Sequence, residues 1–275
     1  EVCEFIRSIP GTNPVIVGGR CATDRAVRLL EEIPRVSAVV CGDGHQTIKE
    51  LAGGTPYKEI AGLAWRLNGR IIKNKGRSHS HIEELATPNR SLRKRNYTVR
   101  LEGLNFGIPF DVVMTSWGCP FKCKFCALRL DAYGRRRPWS ARSPESVLEE
   151  FSQIKSRWIG IIDENCFVDI GRAERICELL IKEGLRKTIG VQARVSVAKY
   201  PSLLKKMWKA GFRVLSFGIE SARDRTLDIL DKRITVSEVI SSFDTLRRHR
   251  FMTNGYFIVG NIGETKAQML EILPF

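Results

Sequence analysis

The chain has 275 residues, of which 43% are hydrophobic, and its formal net charge is +15. This length predicts about one and a half to two domains, and no apolar run approaches the roughly 18 residues that a membrane-spanning helix needs. The densest basic runs, Arg90–Arg100 and Arg129–Arg142, contain few aromatic residues, so the composition disfavours a base-stacking surface for nucleic acid.

The first strands and helices alternate, and the strands end in glycines. The predicted elements are a strand over 14–19, a helix over 26–33, a strand over 37–41 and a helix beginning at 47–51. This order predicts half of a doubly wound sheet. Gly18, Gly19, Gly42 and Gly44 stand at the strand ends, where glycine permits either the close approach of a large ligand or a simple tight turn.

A hairpin is predicted next, because Asn68-Gly69 follows the apolar run 60–66. Asn-Gly is a strong signal for a two-residue hairpin turn.

Three closely spaced cysteines follow the predicted strand Asp111–Thr115. Cys119, Cys123 and Cys126 have the spacing C-x3-C-x2-C. Three thiolates this close together can hold three irons of a cubane cluster and leave one iron open to a ligand. The spacing therefore predicts an iron–sulfur site that supports chemistry.

Zinc and a disulfide are the alternatives for these cysteines. Zinc would need a fourth ligand, which the segment does not offer, and Cys166 and Cys177 stand alone far along the chain. A disulfide does not suit a chain of this size and composition. Eight cysteines beside a candidate cluster site indicate a reducing compartment, so we expect a cytoplasmic location.

The rest of the chain repeats a strand–helix unit. Predicted strands cover 158–162, 189–194, 213–221 and 255–260, and predicted helices lie around 143–151, 173–184, 203–210 and 236–250. Ser143 is predicted to cap the first of these helices, with Pro144 at its first position. Repeated βα units predict a parallel sheet, here a partial (β/α) barrel.

Polar side chains recur where these strands end. They are Asp163, Glu164, Asn165, Gln192, Arg194, Glu220 and Ser221. Each residue alone could be an ordinary cap or a surface charge. Together they predict a ring of polar groups around one mouth of the barrel, which is where such barrels keep their sites.

The cysteine segment resembles the cluster motif of the radical S-adenosylmethionine (SAM) enzymes, with Phe125 in the family's aromatic position. The resemblance covers about residues 95 to 275. It implies that Cys119, Cys123 and Cys126 hold a [4Fe–4S] cluster whose open iron binds the amino and carboxylate groups of SAM. Reductive cleavage of SAM would then give a 5′-deoxyadenosyl radical.

The same resemblance implies roles for other residues. Asp163 and Glu164 stand where the family's Gly-Gly-Glu segment meets the SAM amino group. Gln192, Arg194, Glu220 and Ser221 match positions that reach the ribose and carboxylate of SAM. Ile258 and Gly260 match the family's adenine-contacting strand.

The N-terminal region resembles the cobalamin-binding domain of the B12-dependent radical SAM subgroup. Gly18, Gly19, Gly42 and Gly44 lie in the turns that flank the corrin in that subgroup. The opening strands of the cobalamin fold and the last barrel strand are missing, so the sequence is interpreted as a fragment of a longer protein. The expected organisation is a partial cobalamin-binding Rossmann-like domain over 1–58, a hairpin and linker over 59–100, and a C-terminally incomplete radical SAM barrel over 101–275.

The expected function is therefore that of a radical SAM enzyme with a [4Fe–4S] cluster, SAM and cobalamin as cofactors. The resemblance implies methyl transfer, or related radical chemistry, on an unreactive carbon of a small-molecule substrate. It also implies a reducing electron donor such as flavodoxin or ferredoxin. Two alternatives stay open: a methylthiotransferase acting on RNA or protein, and a metal-bearing nucleic-acid-binding protein without radical activity.

Overall fold

The computed structural model describes residues 2–101, 104–131 and 133–273. These residues form two compact units, one from 1–85 and 130–137 and the other from 86–129 and 138–275. Among the residues described, no helix combines the length and apolar character needed to cross a bilayer.

The first unit contains a four-stranded sheet with helices. Its elements are α1 (Val2–Ser8), β1 (Val15–Gly18), α2 (Arg20–Asp24), α3 (Ala26–Glu32), β2 (Val36–Val40), α4 (Gly44–Ala52), β3 (Leu63–Leu67) and β4 (Arg70–Lys73). The strand order is β1-β2-β3-β4. Strands β1 and β2 pair in parallel, whereas β3 is antiparallel to β2 and β4 is antiparallel to β3.

The residues of β2 explain its central place. Val36, Ala38 and Val39 are fully buried, as expected for a strand covered on both faces. Asn68 and Gly69 both have positive φ, at 48° and 77°, which confirms the predicted hairpin turn between β3 and β4.

The second unit contains a six-stranded sheet. Its elements are β5 (Thr98–Leu101), β6 (Leu104–Val113), β7 (Ser116–Trp117), β8 (Ser140–Ala141), α5 (Pro144–Gln153), β9 (Trp158–Ile161), α6 (Ile170–Lys182), β10 (Thr188–Ala193), α7 (Pro201–Ala210), β11 (Phe212–Glu220), α8 (Asp224–Ile229), α9 (Val236–Arg248), β12 (Met252–Phe257) and α10 (Lys266–Leu270). The strand order is β12-β11-β10-β9-β6-β5. From β6 to β12 every pairing is parallel, so the sheet is the predicted partial (β/α) barrel.

Apolar helix faces pack on this sheet. Leu203, Leu204 and Met207 of α7 are fully buried together with Phe151 of α5 and Phe217 of β11. A side chain of this size contributes about 1.5–3 kcal/mol when it is buried. Because the strands are parallel, their carboxyl ends lie along one rim of the barrel, which is where barrels of this kind keep their sites.

The predicted cap of the first barrel helix is confirmed. Ser143 caps α5 by accepting a hydrogen bond from the Ser146 amide, with Pro144 at the first position. Gly211, in the left-handed conformation, ends α7.

Candidate cluster and cofactor site

The cysteine loop begins at a short hairpin of β7 and β8, in which Trp117 pairs with Ser140. Gly118 follows with φ +90°, and a Cβ atom there would lie 2.6 Å from the carbonyl oxygen of Pro138. Only glycine fits this turn without strain. Position 118 therefore sets the direction in which the chain enters the loop.

Two backbone hydrogen bonds hold the loop in place. The amide of Lys124 donates to the carbonyl of Leu230 at 2.9 Å, and the amide of Cys126 donates to the carbonyl of Cys123 at 3.2 Å. Cys123 is buried, while Cys119 and Cys126 are half-buried. The loop is thus joined to the turn that follows α8.

All three cysteines line one cavity of about 280 Å³. Other residues of its wall come from the loop itself and from the strand ends: Phe121, Phe125, Leu128, Glu164, Asn165, Gln192, Ala193, Arg194, Gly218, Glu220, Lys232 and Tyr256. Within the described part of the chain, no three His, Cys, Asp or Glu side chains converge on one metal ion. Thiolates spread around a cavity suit a multi-iron cluster, so the donor set fits the predicted [4Fe–4S] group.

Burial raises the pKa of the Cys119 thiol, whereas hydrogen bonds from the Phe121 amide and the Asn165 side chain and the charge of Arg194 oppose that rise. These groups favour the thiolate, which is the form that binds iron.

Arg194 is the cation beside the cysteines. Its guanidinium lies 3.8 Å from the centroid of the Phe121 ring and 4.0 Å from the sulfur of Cys123. It also donates a 2.5 Å hydrogen bond to the carbonyl of Lys232. Stacking and hydrogen bonding together fix the charge at the cavity wall.

Glu220 and Lys232 form a buried ion pair in the same cavity. Lys232 Nζ lies 2.8 Å from Glu220 Oε1, and each side chain is 9% exposed. Glu220 has φ +73°, at a register shift between β11 and β12. A Cβ atom at Gly218 would lie 2.3 Å from Glu220 Oε1, so glycine at 218 makes room for the pair.

The structure brings most of the predicted SAM residues together. Phe125, Glu164, Gln192, Arg194 and Glu220 all line the cavity with the cysteines.

Asp163 does not line the cavity. Its carboxylate is buried and accepts hydrogen bonds from the Thr115 amide at 2.6 Å, the Thr115 hydroxyl at 2.5 Å and the Ser116 hydroxyl at 2.6 Å. These bonds tie the end of β9 to the strand that precedes the cysteines. Asp163 therefore stabilises the segment that leads into the cysteine loop and does not face the cavity.

Ser221, Ile258 and Gly260 also lie outside the cavity lining. The Ser221 hydroxyl accepts a hydrogen bond from the Arg223 amide ahead of α8. The fifth barrel strand, β12, ends at Phe257, so Ile258 and Gly260 follow it, although the Ile258 amide still donates to the carbonyl of Glu220. Tyr256 of β12 lines the cavity in their place.

Sequence reasoning missed Lys232. It follows α8 in an irregular turn, with no strand end or motif to mark it. Two of its neighbours, Asp231 and Arg233, have positive φ values of 49° and 55°. Uncommon backbone of this kind in non-glycine residues is the local signal of a functional constraint.

The four predicted cobalamin residues lie at one edge of the first unit's sheet. Gly18 ends β1 and pairs with Val40 of β2, Gly19 caps α2, and Gly44 begins α4. At Gly42, a Cβ atom would lie 3.3 Å from the Tyr133 ring. Burial raises the pKa of Tyr133 to about 12.

The N-terminal and barrel regions have similar counterparts among known proteins. An uncharacterized methyltransferase of Pyrococcus horikoshii is 31% identical over all of this chain, which covers 60% of that protein. An anaerobic magnesium-protoporphyrin IX monomethyl ester cyclase of Cereibacter sphaeroides is 27% identical over 93% of this chain, which covers 43% of the relative. The chain thus spans about half the length of these relatives.

Among solved structures, the cobalamin-dependent SAM radical enzyme OxsB, with aqua-cobalamin and SAM bound, has a TM-score of 0.75 at 19% identity. The alignment covers 94% of this chain and 38% of OxsB. At this level of identity the likeness establishes a shared fold.

A family model described as the radical SAM superfamily matches residues 113–275. That range contains the three cysteines and the strand ends that line the cavity. The chain therefore belongs to the radical SAM superfamily.

Proposed function

We propose that this chain is part of a cobalamin-dependent radical SAM enzyme that transfers a methyl group, or performs related radical chemistry, on an unreactive carbon of a small molecule. The observation that carries the proposal is the single cavity in which three cysteine thiols meet Arg194 and the Glu220–Lys232 pair.

In this proposal Cys119, Cys123 and Cys126 bind three irons of the cluster, and the loop hydrogen bonds hold those ligands in place. When bound, the cluster would supply the one electron that cleaves SAM reductively and gives a 5′-deoxyadenosyl radical. The chain's own task is to bind, orient and shield the reacting groups.

Charge complementarity supports SAM as the ligand. The methionine part of SAM carries one ammonium and one carboxylate. Glu220 offers an anion to the former, and Lys232 and Arg194 offer cations to the latter, and all three line the cavity. Glu164 and Gln192 add hydrogen-bonding groups to the lining of the same cavity. A ligand that inserts here exchanges partners with an existing ion pair, which keeps both buried charges satisfied.

The first unit supports cobalamin as the additional cofactor. Four glycines stand at the carboxyl ends of β1 and β2 and around them, where ligands of doubly wound sheets bind. Among the described residues other than its chain neighbours, no heavy atom lies within 4 Å of the position that a Cβ atom of Gly19 would take, so a ligand can approach the backbone closely there. We assign residues 1–58 to the cobalamin-binding domain and 59–100 to the hairpin and linker.

The relatives support the reaction class. One is named as a methyltransferase and another as a cyclase that acts on a porphyrin ester. We therefore infer that the reaction is methyl transfer. We also propose that the protein is cytoplasmic and that another protein supplies its electrons.

The methylthiotransferase alternative needs a second cluster on N-terminal cysteines. Cys41 belongs to the apolar core of the first unit, and Cys3 packs against that core. Thiols enclosed by apolar side chains are poorly placed to bind iron, so we favour the cobalamin-dependent enzyme.

The test is anaerobic reconstitution of the full-length protein with iron, sulfide and hydroxocobalamin, followed by addition of SAM and a reductant. The proposal predicts about four irons per chain and the release of 5′-deoxyadenosine. A protein that assembles the cluster and yet releases no 5′-deoxyadenosine would contradict it.

A further inference from the structure

The cysteine loop has two faces that differ in chemistry. Phe121, Cys123 and Phe125 line the cavity. The intervening residues, Lys122 and Lys124, are exposed and are not part of that lining. The loop therefore presents the proposed cluster ligand Cys123 to the cavity and two exposed ammonium groups away from its lining.

The turn after α8 repeats this arrangement. Lys232 is buried in the cavity, whereas its neighbour Arg233 is exposed. Positive φ values at Asp231 and Arg233 let successive side chains point to opposite sides of so short a turn. The hydrogen bond from the Lys124 amide to the Leu230 carbonyl joins this turn to the loop.

The cations of the two segments are close together. Asp231 accepts a 2.9 Å hydrogen bond from Arg233, which lowers the pKa of its carboxyl, and the charges of Lys124 and Lys122 act in the same direction. Arg233 also lies within the electrostatic influence of Cys123. One carboxylate among three cations leaves a net positive surface directly outside the cluster ligands.

We propose that Lys122, Lys124 and Arg233 form the docking surface for an acidic one-electron-transfer protein that reduces the cluster. This inference rests on the proposed function, since it concerns how that site receives its electron. In the transfer the donor loses one electron and the cluster gains it, with no bond made or broken in either protein.

Two physical arguments support this surface. Opposite charge steers a partner protein and raises its association rate by about 10- to 1000-fold. The surface also lies on the outer side of the wall, so a docked donor leaves the inner side, with Glu164, Gln192 and Glu220, free for SAM and substrate.

The experiment measures how fast the reconstituted full-length protein is reduced by flavodoxin hydroquinone, an acidic flavoprotein. The test variant is Lys122→Glu/Lys124→Glu. The matched control is Lys205→Glu/Lys209→Glu, which makes the same change in net charge at exposed positions of α7. Reduced methyl viologen, a small cation, serves as the donor that needs no docking surface.

We expect the test variant to be reduced by flavodoxin about tenfold more slowly than wild type at low ionic strength. The control should be close to wild type, and Lys122→Arg/Lys124→Arg should retain the wild-type rate. In about 1 M salt, where the screening length is about 3 Å, the difference should disappear. Reduction by methyl viologen should be no slower in any variant.

A second measurement does not depend on the cluster. Calorimetric titration of oxidised flavodoxin into the cluster-free full-length chain should show salt-sensitive binding that the test variant loses and the control keeps.

Equal slowing in test and control variants would overturn the proposal, because net charge alone would then explain the rate. Slowing with methyl viologen as well would overturn it by locating the effect at the cluster. If viologen reduces the cluster and SAM is cleaved, while flavodoxin shows no dependence on Lys122 and Lys124, the docking surface fails and the proposed function stands.

Discussion

Lys232 Nζ lies 2.8 Å from Glu220 Oε1, although the two residues are 12 positions apart in the sequence. Both side chains are nine-tenths buried and both line the cavity with the cluster cysteines. Burying two charges is unfavourable unless each is well satisfied. A buried pair at the mouth of a barrel is therefore better explained by a charged ligand than by stability.

Glu220→Ala should weaken SAM binding by about 1.5–3 kcal/mol, because a charged hydrogen bond is lost. Iron content should not change, since Glu220 is no cluster ligand. Equilibrium binding of SAM to the reconstituted protein measures the effect. Glu238→Ala, which removes an exposed ion pair with Lys199, is the control and should bind SAM as wild type does. An unchanged affinity in Glu220→Ala would show that this residue does not contact SAM.

Lys232→Met should destabilise the fold, because it leaves the Glu220 carboxylate buried without its cation. Breaking such a pair costs about 3–5 kcal/mol, measurable by urea unfolding. The double variant Glu220→Gln/Lys232→Met should recover part of that loss, since no unpaired charge remains. If the double variant is as unstable as the sum of its parts, the two residues do not act as a pair.

Cys119→Ala, Cys123→Ala and Cys126→Ala should each abolish the cluster. Each removes one of the three proposed iron ligands, and the loop supplies no other cysteine. Iron and sulfide analysis after anaerobic reconstitution measures the result. Cys166→Ala and Cys177→Ala serve as controls, because both thiols are buried and neither lines the cavity. A full cluster in Cys123→Ala would contradict the three-ligand assignment.

The barrel strands were predictable from sequence because each is an apolar run that ends in polar residues. Residues 189–191 pair in parallel with both β9 and β11, which places β10 inside the sheet, where apolar strands are expected. Strand β6 was harder to predict: it begins at Leu104 and pairs with β5, although Gly107 and Pro109 interrupt its pattern. Both residues are uncommon in strands except at edges.

The cavity was only partly predictable. Side chains at strand ends, such as Gln192 and Arg194, follow from topology. Lys232 depends on left-handed backbone at its two neighbours, and Asp163 turns inward because Thr115 and Ser116 offer it three donors. Such choices follow from tertiary hydrogen bonding and leave no periodic signal in the sequence.

Asp111→Asn should destabilise the barrel at neutral pH. Burial alone would raise the pKa of this carboxyl, but hydrogen bonds from Arg93, the Val112 amide and Arg90 outweigh it, and the pKa is lowered from 3.8. A group with a lowered pKa in the folded state contributes stability above its unfolded pKa and loses it as the pH falls through the folded value.

We expect the substitution to cost about 3 kcal/mol near neutral pH, and the difference from wild type to shrink below about pH 3.8. Urea unfolding across this range measures both effects. Asp244→Asn, in an exposed ion pair with Arg247, is the control and should change stability by less than about 1 kcal/mol. A pH-independent loss in Asp111→Asn would mean that shape rather than charge is responsible.

Gly19→Val in the full-length protein should lose cobalamin while keeping the cluster. Gly19 follows β1 with φ +99° and ψ 174°, a conformation that is essentially restricted to glycine. A valine side chain there would project into the open space at the strand ends, where the proposed corrin lies. Binding of hydroxocobalamin, followed by its absorbance, should weaken by at least about tenfold, or 1.4 kcal/mol.

The control for Gly19→Val is Gly54→Val. Gly54 also has a positive φ, at +79°, with no described residue other than its chain neighbours within 4 Å of its Cβ position, but it lies beyond the C-terminal end of α4, away from the strand ends. Its positive φ also disfavours a side chain, but a side chain there does not obstruct the site, so the Gly54→Val variant should bind cobalamin as wild type does. Equal loss in both variants would indicate general destabilisation and contradict a specific site at Gly19. A full-length protein that assembles its cluster and cleaves SAM, yet binds no corrin, would refute the cobalamin assignment and leave the radical SAM assignment intact.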